Sequence, residues 1–293
     1  MRIAFLTNGG TFGLQALEAL AEDHEIVAVV RPVSTASLAR RLLGRAARAT
    51  GLRPKDPVAM WTRRAPITVL RAQRGSDERM MTALAQIKPD VACIATFPWL
   101  LDPGLLTIPR YGTVNLHPSL LPRHRGANPY FWTYYHDDRE TGVTVHEAGE
   151  RADAGALLDQ ERFALHRGTP IDALYSEMGR RGATLLRRTV AAIERGVVQR
   201  QPQDERLATR APRVNPGTPM VRFTEWDVER VWHFLGGLAS RFREPLADAR
   251  GRTIHYRRVV GYSESRHQER PGSIARVSSG WNLACRGGYV CLA

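Results

Sequence analysis

Compact apolar runs alternate with helical spacing along the first half of the chain. Residues 2 to 6 read as a short strand, Asn8 to Gly13 as a glycine-rich turn, and Leu14, Leu17, Ala19 and Leu20 repeat at helical spacing. Ile26 to Val30 is a second apolar run of strand length. A helix is expected over Met80 to Gln86, ending before Lys88-Pro89-Asp90, then a strand over Val91 to Ala95 and another at Gly112 to Asn115. Thr141 to His146 reads as one more. Near-continuous apolar strands separated by helical segments indicate a parallel sheet covered on both faces. The expected fold class for residues 1–200 is therefore α/β, a Rossmann-like domain with a mostly parallel sheet.

Beyond Arg200 the pattern changes. Gln201 to Asp204 and Arg213 to Pro219 read as loop, which makes 201–220 a linker. Phe223 to Leu238 follows as a helix with Val228, Val231, Trp232 and Leu235 on one face. Strand-like runs at Thr253 to Val260, Gly272 to Val277 and Trp281 to Cys285, separated by Gly or Ser turns, predict a small C-terminal domain over 221–293.

Size and composition narrow the class. A chain of 293 residues has room for two cores, and no run of about 18 apolar residues suggests a membrane span. The N-terminus lacks the charged and apolar regions of a signal peptide, so a cytoplasmic protein with no membrane partner is expected. Cys93, Cys285 and Cys291 have neither zinc-ribbon nor redox spacing, which predicts buried reduced thiols and no metal. The formal net charge of +13 favours anionic partners: nucleic acid, phosphorylated metabolites or polyglutamylated cofactors. The excess is almost entirely arginine, and it peaks from Arg31 to Arg74, where eleven basic residues face the single acid Asp56. Inside that stretch Leu38, Leu42, Leu43 and Ala46 share one helical face and Arg41, Arg45 and Arg48 another. That face is either simply solvated or an anion contact. Gly9-Gly10-Thr11-Phe12-Gly13 lacks the G-x-G-x-x-G spacing, and Arg31-Pro32 stands where a dinucleotide site would carry an acid, so NAD binding is not expected.

The densest chemistry lies in Asn115-Leu116-His117-Pro118-Ser119-Leu120-Leu121-Pro122. A strand's period of two sends the Asn115 amide and the His117 imidazole to the same side. Downstream, Thr141-Gly142-Val143-Thr144 leads to the turn Arg151-Ala152-Asp153-Ala154-Gly155. An Asn, a His and an Asp at the mouth of a sheet would supply an oxyanion donor, a proton-transfer or electrostatic group and an orienting or basic carboxylate.

These motifs together resemble the folate-dependent formyltransferases, a family that includes methionyl-tRNA, glycinamide ribonucleotide and nucleotide-sugar amine formyltransferases. The resemblance spans roughly residues 1–195 and is specific at Asn115 to Pro122 and Thr141 to Gly155. It implies transfer of a formyl group from 10-formyltetrahydrofolate to an amine, with Asn115, His117 and Asp153 in the catalytic positions and no metal. It places the pterin against Phe97, Trp99, Leu100 and Leu101 and against the segment carrying His146, Glu147 and Arg151. For the acceptor it points to Gly10, Thr11, Arg125, Asn128 and Tyr130. The C-terminal segment resembles, more weakly, the helix and small OB-like β-barrel of methionyl-tRNA and sugar formyltransferases.

The acceptor is the open question at this level. The basic stretch 31–74 suits tRNA, which keeps methionyl-tRNA formyl transfer as the alternative. Against it, the family's tRNA enzymes usually carry Gly-Thr-Pro-x-Phe after the first strand and Arg-Gly-Ala-Ala-Pro-Ile after Ser-Leu-Leu-Pro. Here stand Asn8-Gly9-Gly10-Thr11-Phe12 and Arg125-Gly126-Ala127-Asn128-Pro129-Tyr130. The expected acceptor is thus a small amine, such as a nucleotide-linked amino sugar or a biosynthetic amine. A non-catalytic nucleic-acid-binding relative is the remote third class, and oligomeric state is not encoded in these patterns.

Overall fold

The computed structural model describes residues 1–33, 56–64, 66–74 and 78–293. The basic amphipathic helix expected around Leu38 to Arg48 lies outside the described residues. By packing, the chain forms two compact units. The first comprises Met1–Arg125, Gly142–Arg162 and Ser176–Arg210; the second comprises Gly126–Thr141, Phe163–Tyr175 and Ala211–Ala293.

The first unit is built on a seven-stranded sheet of order β3-β2-β1-β4-β5-β6-β7. Its strands are β1 (Arg2–Leu6), β2 (Glu25–Pro32), β3 (Thr68–Ala72), β4 (Val91–Ala95), β5 (Thr113–His117), β6 (Glu140–Glu147) and β7 (Leu157–Ala164). Strands β1 to β5 pair in parallel, and β6 runs antiparallel to β5. All five residues of β4 are buried, as a strand covered on both faces requires. Helix α1 (Gly10–Ala21) turns Phe12, Ala16, Leu17 and Leu20 inward. Short α2 (Pro57–Trp61) starts at Asp56, whose carboxylate caps the Ala59 amide at 3.1 Å. Helices α3 (Glu78–Ile87) and α4 (Pro103–Leu106) precede β4 and β5.

Among the elements that go beyond those expected from the pattern are β3, β7 and the helix over Ile171–Glu194. Strand β3 sits at the sheet edge with only Ala72 fully buried, and its apolar pair Val69 and Leu70 is shorter than the runs of the inner strands. Helix α6 (Ile171–Glu194) is the longest in the chain among described residues, and Leu174, Met178, Leu185, Leu186 and Val190 are buried along it at helical spacing.

Within the first unit, chain order reverses between β1 and β4, which is where open α/β sheets bind ligands, at the carboxyl ends of the strands. The loops leaving these two strands are tied together. Asn8 donates its amide to the Thr96 carbonyl at 2.8 Å, and the Thr96 hydroxyl donates to Asn8 Oδ1 at 2.9 Å.

The second unit contains α5 (Pro129–Tyr135), α7 (Val228–Leu238), a two-stranded ladder of β8 (Leu246–Ala247) and β9 (Thr253–Ile254), and a four-stranded antiparallel sheet. That sheet has the order β10-β13-β12-β11, from β10 (Val259–Glu264), β11 (Ile274–Val277), β12 (Gly280–Cys285) and β13 (Gly288–Leu292). These are the helix and antiparallel strands of a barrel-like C-terminal part. The run Thr253 to Val260, expected as one strand, is divided between β9 and β10. Helix α7 starts later than Phe223, at the Asp227 cap, whose carboxylate accepts the Arg230 amide at 2.7 Å. An aromatic core fills the unit. The Phe131 ring lies 5.5 Å from Phe234 and 5.0 Å from Phe242, while Trp226 sits 5.4 Å from Phe234. Cys93 and Cys285 are buried free thiols, whereas Cys291 is only half-buried.

Candidate active site

Strand β5 has one position that is not fully buried, Asn115. Its register opposite β6 pairs Asn115 with His146 and His117 with Thr144, so two polar side chains of β5 meet polar partners from the antiparallel neighbour. The loop after β6 then returns Asp153 to the same point. Asp153 adopts a left-handed backbone, φ 52°, a conformation that Asp tolerates better than most residues. Gly155 is needed for a different reason. A Cβ there would lie 1.9 Å from the Glu147 carbonyl oxygen, so only glycine lets the loop close on the end of β6.

Asn115, His146 and Asp153 form one hydrogen-bonded cluster, and His117 lies against it. Asn115 Nδ2 donates to Asp153 Oδ1 at 3.2 Å and to His146 Nε2 at 3.0 Å. The tautomer of His146 follows from its other nitrogen: Nδ1 lies 2.7 Å from the Glu147 carbonyl and must donate, which leaves Nε2 as the acceptor. By the same logic His117 Nε2, 3.0 Å from the His124 carbonyl, carries a hydrogen, and its Nδ1 faces Asp153 Oδ1 at 3.5 Å. Burial pushes the His117 imidazole below its ordinary pKa, with the Asp153 charge opposing that shift. A neutral His117 next to a carboxylate is a pair ready to share one incoming proton.

The scaffold around the cluster is polar and specific. The Thr144 hydroxyl donates to the Ser119 carbonyl at 2.6 Å, and Gln160 Nε2 reaches the Leu121 carbonyl at 3.0 Å, which holds the turn after His117. Gln203 is a contributor that the sequence motifs did not reveal. Its Nε2 donates to the Asp153 and Gly155 carbonyls at 2.9 and 2.7 Å, while its Oε1 accepts from Arg125 Nη2 at 2.7 Å. Nothing local marks Gln203, because it stands in a Pro- and Gln-rich segment that reads as linker.

The other candidate residues are distributed as follows. Phe97, Trp99 and Leu101 pack against the core of the first unit, with the Phe97 and Trp99 rings edge to face at 5.2 Å, while Leu100 points outward at 56% exposure. The Glu147 carboxylate pairs with Arg200 at 2.6 Å, and the exposed Arg151 reaches Glu205 at 3.4 Å. Gly10 and Thr11 open α1, whose cap residue Gly9 offers no side-chain hydrogen bond. Behind that turn Arg31 binds the Asn8 carbonyl at 2.9 Å and Asp56 at 2.5 Å. The Arg125 fork is occupied by Gln203 and Glu205. Asn128 and Tyr130 belong to the second unit. Among the described residues no cluster of His, Cys, Asp and Glu has the geometry to hold a metal ion, and no helix is long and apolar enough to cross a membrane.

Residues 1–190 match the profile of the formyl transferase family. The chain belongs to that family. It is 31% identical over 227 residues to the methionyl-tRNA formyltransferase of Syntrophus aciditrophicus, covering 77% of this chain and 72% of that protein. Among solved structures it resembles the N-formyltransferase from Helicobacter canadensis in complex with folinic acid and dTDP-3-aminofucose, with a TM-score of 0.66 at 12% identity over 99% of this chain and 98% of that one. It also resembles HypX from Aquifex aeolicus in complex with tetrahydrofolic acid, with a TM-score of 0.62 at 18% identity. That likeness covers all of this chain but only 43% of HypX, so the chain spans less than half of that larger protein.

Proposed function

We propose that the protein transfers a formyl group from 10-formyltetrahydrofolate to the amine of a small molecule, such as a nucleotide-linked amino sugar or another biosynthetic amine. The observation that carries this reading is the convergence of Asn115, His117 and Asp153, with Asp153 Oδ1 3.2 Å from the Asn115 amide and 3.5 Å from the His117 imidazole. The folate supplies a formyl group activated by its attachment to nitrogen. Phe97, Trp99 and Leu101 offer apolar walls for the flat pterin, and the backbone between His146 and Asp153 offers hydrogen bonds to its edge.

The chain's own groups then divide the work. Asn115 Nδ2 rests with its two hydrogens on His146 Nε2 and Asp153 Oδ1, and turns the one held by Asp153 to the oxygen on which negative charge develops as the amine attacks. His146, acting as an acceptor, fixes the plane of that amide before the substrates arrive. Asp153 and the facing Nδ1 of His117 take the proton that the attacking amine loses and return it to the departing nitrogen, so no net proton is left in the site. Because burial keeps His117 neutral, the pair has capacity for that proton near neutral pH.

Methionyl-tRNA is the second acceptor to test, since the similar curated proteins include methionyl-tRNA formyltransferases at 31% and 34% identity. The experiment follows tetrahydrofolate release from 10-formyltetrahydrofolate with a panel of amino sugars and small amines, with charged initiator tRNA in parallel and His117→Ala as the control. Release that depends on a small amine and on His117 supports the proposal. Release that depends only on the tRNA replaces it.

A further inference from the structure

The carbonyl of His124 decides which nitrogen of His117 carries the hydrogen, and it stands in a turn rather than in a strand or helix. His117 Nε2 donates to it at 3.0 Å, which leaves Nδ1 as the open nitrogen facing Asp153 Oδ1 at 3.5 Å. The other tautomer has an attraction of its own. A hydrogen on Nδ1 would point at a carboxylate, and a hydrogen bond to a charged acceptor is stronger than one to a carbonyl. It would also set the Nε2 lone pair against the His124 oxygen, acceptor against acceptor. The choice between the two therefore depends on how firmly that oxygen is held in place.

The hold comes from 85 residues further along the chain. His124 has a left-handed backbone, φ 60°, a conformation that His visits more readily than most residues but that needs bonds from elsewhere to persist. Thr209 supplies them. Its hydroxyl accepts the His124 amide at 2.8 Å, its amide donates to the Pro122 carbonyl at 3.2 Å, and its carbonyl accepts the Arg125 amide at 2.9 Å. The two backbone bonds are open to almost any residue at this position. The third, made to His124 itself, requires a hydroxyl. Thr209 is exposed, so these bonds rather than core packing are what it contributes. It closes a strap fastened along its length within the first unit: Gln201 and Leu157 exchange backbone bonds of 2.9 and 2.8 Å, Gln203 holds the Asp153 loop, and Thr209 holds the turn after His117. Both members of the His117–Asp153 pair are thus set from one segment.

We infer that Thr209 is a positioning residue for the formyl-transfer site, holding the 122–125 turn so that the His124 carbonyl keeps the hydrogen of His117 on Nε2 and leaves Nδ1 open. The inference rests on the proposed reaction for the use made of Nδ1, which there receives the proton lost by the attacking amine. When the turn loosens, the hydrogen moves to Nδ1 and is donated to Asp153, and the pair enters the reaction with that nitrogen already occupied.

Long-range nitrogen–proton correlation spectra of the full chain, with nitrogen-15-labelled histidine and at a pH where the imidazoles are neutral, distinguish the two tautomers. The spectrum of His117→Gln assigns His117 among the nine histidines. In the native chain the hydrogen is expected on Nε2. Thr209→Val removes the hydroxyl and keeps the size, so His117 should gain a population with the hydrogen on Nδ1, and tetrahydrofolate release should slow about fivefold, the worth of one hydrogen bond, with folate affinity unchanged. Thr209→Ser retains the hydroxyl and should restore both the spectrum and the rate. Thermal unfolding verifies that both variants fold. A native His117 with its hydrogen on Nδ1, or a Thr209→Val chain in which it stays wholly on Nε2, overturns the inference. The two readings fail separately: a tautomer shift in Thr209→Val without tetrahydrofolate release from the native chain sinks the reaction alone, and native release with no tautomer shift sinks the role of Thr209 alone.

Discussion

Two buried histidines, one in each unit, show how similar surroundings lead to different work. His117 and His233 are both almost fully buried, and burial pushes the pKa of each downward. In the second unit His233 accepts the Gly168 amide on Nδ1 at 3.0 Å and stacks on Tyr134 with ring centroids 4.8 Å apart. It is a finished structural joint. In the first unit His117 donates to a carbonyl through Nε2 but leaves Nδ1 facing a carboxylate, beside an amide donor on the one incompletely buried position of its strand. Burial alone does not mark a functional histidine. In the proposed reading, a nitrogen left facing a charged partner does.

The largest expected effect sharpens the first-unit side of this contrast. Replacing the carboxylate in Asp153→Asn removes the proposed proton acceptor, and turnover should fall by about 10²- to 10⁴-fold, measured as tetrahydrofolate release, with little change in thermal unfolding. The second unit should respond in the opposite manner. Phe234→Ala opens the centre of its aromatic core and is expected to cost about 3–5 kcal/mol in urea unfolding.

pH separates the histidines next. The folded-state pKa of His233 is lowered to about 4 from an unfolded value of 6.5, so its contribution to stability is complete above the unfolded value. It is lost as pH falls through the interval toward the folded value, because the unfolded chain binds the proton first. The loss amounts to at most about 3 kcal/mol, and His233→Gln should flatten that part of the stability profile. His117 contributes with the same sign, its pKa also being lowered. The smallest effect concerns Gln203. Gln203→Leu removes two hydrogen bonds from the Asp153 loop, and a cost of about 1 to 1.5 kcal/mol, roughly tenfold in turnover, is expected without loss of folate binding.

The elements legible in the sequence were those whose signal is local. Strands β1, β2 and β4 are runs of apolar residues buried on both faces, and β5 announces Asn115 and His117 through a strand's period of two. Asp153 was visible because a turn with a nearby glycine is a short-range feature. Edge strand β3, mostly exposed, carries only the apolar pair Val69 and Leu70 within its bounds. The placement of His146 depends on the β5–β6 register, and a register joining residues 31 apart is set by the folded sheet rather than by any neighbour in the chain. Gln203 acts across 50 residues from within an apparent linker, where composition carries no hint of a hydrogen-bonding duty.

The central claim is that the Asn115 amide stabilises the charge developing during formyl transfer. Single-turnover release of tetrahydrofolate from 10-formyltetrahydrofolate, compared between the native chain and Asn115→Ala with folate binding measured alongside, tests it most directly. The account predicts a rate lower by roughly a hundredfold or more, the worth of one oxyanion donor, with folate affinity nearly unchanged. Equal rates in the two proteins would contradict it.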